Sequence, residues 1–224
     1  MNCIDNIQKD IDWRMSELGS LKSIPLRYKL LEHHREMVIK YTIPSIYALW
    51  EGFVKTSFKC YVSEINSLNL AINDVHINLL VNSLTSIDKL RLENPRNSFK
   101  TKKEFTEHYL AAISRPFKLA EVIPTGSNVN FEVINEILLL FNLELLPKQF
   151  DKPLNKLVNF RNSIAHGEIQ IPIKMKDVED FTQLLNDLMV EIILRIEQGL
   201  NTYTFQRQTS PNMDLAQAGI TNES

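Results

Sequence analysis

Apolar residues recur every three or four positions along most of this chain, the spacing of helices that bury one face. The first stripe is Ile4, Ile7, Ile11, Met15, Leu18 and Leu21, with Gly19 and then Pro25 marking its end. A second helix is predicted over 26–65. A kink is expected at Pro44, because proline removes a backbone hydrogen bond and clashes with the preceding turn. Its later half carries a dense stripe of Ile46, Trp50, Phe53, Val54, Ser57, Tyr61 and Ile65. Asp74 has the position of an N-cap for a helix through Leu79, Leu80, Leu84 and Ile87. Asn94-Pro95-Arg96-Asn97 reads as a turn, and Thr101 with Glu104 has capping-box spacing for a helix over 102–114. After a loop at 124–128 comes a short apolar helix through Ile134, Ile137, Leu138 and Phe141. Asp151 caps the next helix, which takes Pro153 in its first turn and ends at His166-Gly167, where glycine supplies a left-handed residue. A short extended piece at 169–173 leads to a last helix through Phe181, Leu184, Leu185, Leu188, Ile192 and Ile196.

The expected architecture is therefore all-α: one antiparallel helical bundle over 1–200, with an insert at 86–130 and a polar, flexible C-terminal tail at 201–224. Without a parallel sheet the Rossmann and P-loop enzymes are disfavoured, and Gly126 has no partner glycines to build a phosphate cradle. Only 6 glycines and 9 prolines argue against a loop-rich β fold. Cys3 and Cys60 lack metal-type spacing and suit a reducing cytosol. The chain opens without an apolar leader. Its greasiest stretch, 137–146, is interrupted by Asn142 and Glu144 and falls short of the roughly 20 apolar residues a bilayer requires. A cytoplasmic protein without a membrane span is the expectation.

Net charge is −2, which gives no general attraction for nucleic acid, but the distribution is uneven. Residues 88–118 hold eight cations against four acids. That segment, with Lys100, Lys102 and Lys103 at its centre, is either a solvated helix face or a surface that tracks phosphates. Glu104 and His108 stand four apart, as two metal ligands can, but no third ligand of matching spacing accompanies them.

The helix ending at His166 has the most chemistry. Leu154, Leu157, Val158, Ile164 and Ala165 form its core stripe, while Asn155, Asn159, Asn162 and His166 form a polar one. Arg161 falls within the apolar stripe, where a guanidinium is costly unless it is paired or faces a ligand or another chain. Cleaving RNA without a metal requires a base for the ribose 2′-hydroxyl, an acid for the leaving oxygen and a fixed cation for the phosphoryl charge. Histidine suits the first two tasks and arginine the third. Residues five apart point about 140° from each other on an ideal helix, so Arg161 and His166 meet only if the arginine sweeps round, the helix loosens, or the pairing is between chains. A cap and a buried ion-pair network account for the same two residues without any catalysis.

Arg161-Asn162-Ser163-Ile164-Ala165-His166-Gly167-Glu168 resembles the RN-x-IAHGE block of a bacterial branch of the HEPN superfamily. Tyr47-Ala48-Leu49-Trp50-Glu51-Gly52-Phe53-Val54-Lys55 is similar to the Y-A-x-W-E-G-F-x-K helix of the same branch, more than a hundred residues away. The resemblance implies a helical bundle that dimerises and brings two such motifs into one cleft. It further implies metal-independent endoribonuclease activity that leaves a 2′,3′-cyclic phosphate, needs no cofactor, and often belongs to toxin–antitoxin or antiviral modules with a partner protein. Carried over, it makes His166 the general acid or base, Arg161 the phosphate clamp, and Asn162 the residue that orients the phosphate or the histidine. Glu51 is expected to neutralise Arg161, hold the imidazole, or remain a surface acid; Lys55 is expected to pair with Glu51. Glu168 either folds back on the site or stays in an exposed turn. Tyr47 and Trp50 are read as core aromatics. The alternative within the family is a non-catalytic dimer that binds a partner or a nucleotide.

Overall fold

A computed structural model describes residues 2–85, 99–168 and 172–208. Within them the chain forms seven α-helices and no β-strand: α1 (Cys3–Arg27), α2 (Glu32–Ser67), α3 (Ile77–Thr85), α4 (Phe99–Ile113), α5 (Phe131–Leu140), α6 (Asp151–Ala165) and α7 (Met175–Asn201). Two single turns of 3-10 helix, Ile72–Asp74 and Lys148–Phe150, precede α3 and α6. The all-α expectation holds. None of the helices among the described residues is long and apolar enough to cross a membrane.

The central pillar is α2, because its buried residues (among them Ile43, Tyr47, Trp50, Phe53, Phe58 and Tyr61) cover most of its circumference. It packs against α1, α6 and α7, and α1 also meets α7, so four long helices share one core. Each of these large side chains contributes about 1.5–3 kcal/mol by leaving water. α5 joins the bundle through Phe131, Ile134, Ile137 and Leu138.

Several boundaries differ from the sequence reading. α1 runs to Arg27 with Gly19 and Pro25 inside it. A glycine costs a helix only about 1 kcal/mol, less than burying Leu18 beside it returns, and Pro25 falls where the helix is about to stop. α2 therefore starts at Glu32, after extended backbone at Tyr28 and Leu31, and continues helical through Pro44. Asp74 closes a 3-10 turn; the cap of α3 is His76, whose Nδ1 accepts from the Asn78 N–H at 3.2 Å. Asp151 is the first residue of α6 rather than its cap, and its Oδ1 accepts from Asn155 Nδ2 at 2.8 Å. The proposed turn at 94–97 and residues 169–171 lie outside the described residues.

Part of the expected insert packs into the bundle. Residues 86–98 are outside the described set, α4 is helical, and Phe117, Leu119, Ile123 and Val129 are buried in the core. Asn66 fixes this stretch by gripping Leu119 from both sides, donating to its carbonyl at 3.0 Å and accepting from its N–H at 2.8 Å. The exposed cations described in this stretch include Lys100, Lys102 and Lys103 on α4 and Arg115 and Lys118 after it.

The polar tail begins later than Asn201. Tyr203 turns the chain back in a left-handed conformation (φ 54°), Phe205 is 1% exposed, and the Phe205 carbonyl accepts from His76 N–H at 2.8 Å. Val75 and Gln206 form an isolated antiparallel bridge. One phenylalanine anchors this return, and a single apolar residue leaves no periodicity to read. Residues 209–224 lie outside the described set.

Phe205→Ala is expected to destabilise the protein by about 3 kcal/mol or more, the range for emptying a buried phenylalanine site. Tyr203→Ala, at a residue 58% exposed, is expected to cost under about 1 kcal/mol. Urea denaturation of both variants checks the difference; equal midpoints would place residues 202–207 outside the folded unit.

Candidate active site

The site forms where α6 crosses α2. α6 buries Leu154, Leu157, Val158 and Ile164, which leaves Arg161 at the edge of the apolar stripe, half-buried against α2. Its guanidinium lies over the ring of Tyr47, 4.8 Å from the centroid. The planar cation is attracted to the negative face of the ring, and this is how the core stripe tolerates it. Arg161 Nη1 donates to Asn162 Oδ1 at 2.8 Å and to Asn128 Oδ1 at 3.3 Å. Both acceptors are neutral amides.

Tyr47 also works from its other end. Its hydroxyl accepts the buried N–H of Val129 at 2.8 Å, while Trp50, one turn on, donates its indole N–H to the Val129 carbonyl at 2.9 Å. One peptide unit is thus held on both sides by the two aromatics. That grip fixes the segment holding Asn128, which reaches Arg161, and Asn130, which caps α5 by accepting from Val133 N–H at 2.9 Å. Asn155 of α6 accepts from Phe131 N–H at 3.3 Å and closes the same segment from beyond. Burial, reinforced by the nearby Glu51 carboxylate, pushes the Tyr47 phenol up to about 12, against the Val129 N–H and the Arg161 cation, which act in the opposite sense. The phenol stays protonated at any ordinary pH. Tyr47 and Trp50 are core aromatics, as expected, and they also build the site.

The end of α6 is set by its backbone. Gly167 is left-handed (φ 72°), its N–H bonds the Ile164 carbonyl at 3.2 Å, and the Glu168 N–H reaches back to Ser163 at 2.9 Å. This pair of bonds is the Schellman ending that glycine permits. His166 is the C-cap, with its N–H on the Asn162 carbonyl at 2.9 Å and its side chain exposed. Asn162 therefore links the two residues, accepting from Arg161 through its side chain and from His166 through its backbone. The hydrogen bonds and ring contact of Arg161 do not extend to His166 within the chain. A buried Arg161–His166 ion-pair network is excluded by the exposed imidazole and the amide partners.

The other candidate residues divide. Glu51 Oε1 pairs with Lys55 Nζ at 2.5 Å, one turn apart, so its carboxylate is engaged there rather than by Arg161 or the imidazole. Glu168 is exposed in the turn. Lys100, Lys102 and Lys103 are exposed on α4, remote in sequence from both blocks, and Lys103 faces Glu107 at 3.7 Å. No metal-sized group of three His, Cys, Asp or Glu side chains forms among the described residues, so Glu104 and His108 gain no third ligand. A groove of about 780 Å³ between the first half of α6 and α7, lined by Phe150, Pro153, Phe181 and Leu184, includes neither Arg161 nor His166.

Two participants escaped the sequence reading. Asn128 stands 33 residues from Arg161 in a loop without periodicity. Its only signal was indirect: a buried tryptophan needs an acceptor for its N–H, and Trp50 finds one in the residue after Asn128. Arg14 is buried on α1, bonded to Asp10 at 2.7 Å and to the Leu49 carbonyl at 2.9 Å. It passes so near Gly52 that a Cβ there would lie 2.9 Å from Nη1, which accounts for the glycine after Glu51.

The chain matches the family model described as MAE_28990-like HEPN over residues 3–205. No curated protein and no solved structure gives a significant match. The matched span takes in all seven helices, both sequence blocks and the Phe205 anchor, and the chain belongs to the MAE_28990-like HEPN family.

Proposed function

We propose that this protein is a metal-independent endoribonuclease of the toxin or antiviral-defence type, with Arg161, Asn162 and His166 as its working residues. The observation that carries the reading is the company Arg161 keeps. Buried Arg14 and Arg195 are each neutralised by a carboxylate on their own helix, Asp10 and Glu191, whereas Arg161 rests on an aromatic face between two amides. Its charge is oriented but not cancelled, which is what a phosphate clamp requires.

In this mechanism the ribose 2′-hydroxyl attacks the adjacent phosphorus and the bond to the 5′-oxygen breaks, leaving a 2′,3′-cyclic phosphate and a 5′-hydroxyl. One imidazole takes the 2′ proton and a second protonates the departing oxygen. Each chain contributes a single His166, so a two-fold dimer that faces the α6 ends toward each other supplies both. Arg161 holds the non-bridging phosphoryl oxygens, and Asn162 positions Arg161. An antitoxin or defence-system partner restrains the activity in the cell.

His166→Ala and Arg161→Ala are each expected to lower RNA cleavage by about 100-fold or more, while His166→Ala changes stability by less than about 0.5 kcal/mol because the side chain is exposed. The check is incubation of the purified full chain with total RNA, end-group analysis of the fragments, and melting of each variant. Fragments produced at the wild-type rate by a folded His166→Ala protein would overturn the assignment.

Tyr47→Phe keeps the ring beneath Arg161 but leaves the buried Val129 N–H without an acceptor, at an expected cost of about 1–3 kcal/mol. Cleavage by this variant should fall less than in Arg161→Ala. Tyr47→Leu, which also removes the ring, should approach the Arg161→Ala level.

A further inference from the structure

α2 and α6 run in opposite directions: Arg161 lies on Tyr47, while Asn155, nearer the start of α6, binds Phe131 beyond the Val129 that Trp50 holds. From Arg161, α6 continues only to Ala165, about 6 Å, before it stops at His166. From Tyr47, α2 continues back to Glu32, about 22 Å. Arg14 on Leu49 sets α1 antiparallel to α2, so the last turns of α1 travel with this extension. The α1–α2 hairpin, residues 22–41, therefore projects past the end of α6 on the side where His166 is displayed.

The arm combines positive charge with exposed aromatic rings. It holds five cations, Lys22, Arg27, Lys29, Arg35 and Lys40, against Glu32 and Glu36, in a chain whose net charge is −2. Arg14, Lys55, Lys103, Lys156, Lys176 and Arg195 each have a carboxylate partner, whereas Lys59, Lys100, Lys102 and Lys152 form no ion pair among the described residues. Among the described residues none of the five arm cations forms an ion pair, and Arg35 Nε is enclosed without any hydrogen-bond acceptor. The helix dipole accounts for Arg27 at the end of α1, but not for Lys29 in the connection or Lys40 inside α2. Beside the cations stand exposed aromatics: Tyr28 is 64% and Tyr41 56% exposed, with Lys40 Nζ 6.0 Å from the Tyr41 centroid.

We infer that this arm is a binding surface for single-stranded RNA, which it leads toward His166. The unpaired cations follow the phosphates and the two tyrosines stack on bases, a combination that suits a strand whose bases are unpaired. A duplex offers the same phosphates but hides its base faces, so the exposed aromatics favour the single strand. Lys40 lies seven residues before Tyr47, hence on nearly the same face of α2, and continues the line of positive charge from Arg161 past the end of α6. This inference rests on the nuclease reading for the direction of the strand, though not for its binding.

The test uses the full chain with His166→Ala, so that the probe survives, and a fluorescein-labelled single-stranded RNA of mixed sequence alongside the same RNA as a duplex. Fluorescence anisotropy at two salt concentrations should show tighter binding to the single strand. Adding Tyr28→Ala with Tyr41→Ala should weaken that binding about tenfold or more. Lys29→Ala with Lys40→Ala should weaken it and flatten its salt dependence. Lys100→Ala with Lys102→Ala on α4 should leave it unchanged. All the arm residues to be replaced are at least partly exposed, and melting curves check that each variant is folded. Unchanged affinity in the folded arm variants, a preference for the duplex, or arm variants that alter only the oligomeric mass in light scattering would overturn the inference. If wild-type protein cleaves RNA while the arm variants bind normally, the arm falls and the nuclease stands. If the arm binds RNA that the wild type leaves intact, the nuclease reading falls and the arm stands.

Discussion

The two-sided grip on the Val129 peptide is the constraint on which the site depends. A buried peptide group that loses water must recover both of its hydrogen bonds, and here neither comes from a helix or a sheet. Tyr47 accepts the N–H and Trp50 donates to the carbonyl, both from α2. Because the two aromatics lie one turn apart on the central pillar, the segment that carries Asn128 and Asn130 is registered to the core and cannot slide along it. Arg161 then takes its place from three directions: the ring of Tyr47, the amide of Asn128 and the amide of Asn162. The two sequence blocks, a hundred residues apart, are thereby parts of one object.

Charge is treated in two ways inside this bundle. Arg14 and Arg195 are structural: each is buried, bonded to backbone carbonyls across a helix boundary, and balanced by a carboxylate four residues away. Breaking such a pair leaves a stranded charge and is costly. Arg161 has neither a carboxylate nor full burial. In the proposed function this is the cation left available for a phosphate. The unpaired cations of the α1–α2 arm follow the same distinction at the surface.

Much of this was legible in the residues. The 3.6-residue spacing revealed the long helices, because their apolar faces are wide and continuous, and the His166-Gly167 ending followed from glycine's access to a left-handed backbone. Boundaries were harder. Gly19 and Pro25 read as stops because local propensity favours a stop there, yet packing of Leu18 and Pro25 against the bundle outweighs it. The Phe205 anchor and the burial of Phe117, Leu119, Ile123 and Val129 were hidden for a different reason: their partners are remote, and tertiary contacts of isolated residues leave no pattern along the chain. At the site the residue types could be read, but not all of their wiring. The Glu51–Lys55 pair followed from its one-turn spacing, whereas the contact between Arg161 and Asn128 spans 33 residues and left no such signal.

The ending of α6 links these threads. His166 is displayed not by a loop that must be held still but by the backbone bonds of the helix stop, with the N–H groups of His166, Gly167 and Glu168 satisfied by Asn162, Ile164 and Ser163. An exposed imidazole usually loses precision because nothing packs against it. Here its Cα is fixed by the Schellman bonds and its neighbour Asn162 is fixed by Arg161, so positional order reaches His166 through the main chain rather than through side-chain contacts. A group placed in this way keeps its ring free to meet a proton from a bound strand or from a second subunit. The same stop uncovers the first turns of α2 and leaves the α1–α2 arm beside it. In the proposed reaction one structural event, the termination of a helix at Gly167, both presents the acid–base residue and clears the surface from which its substrate arrives.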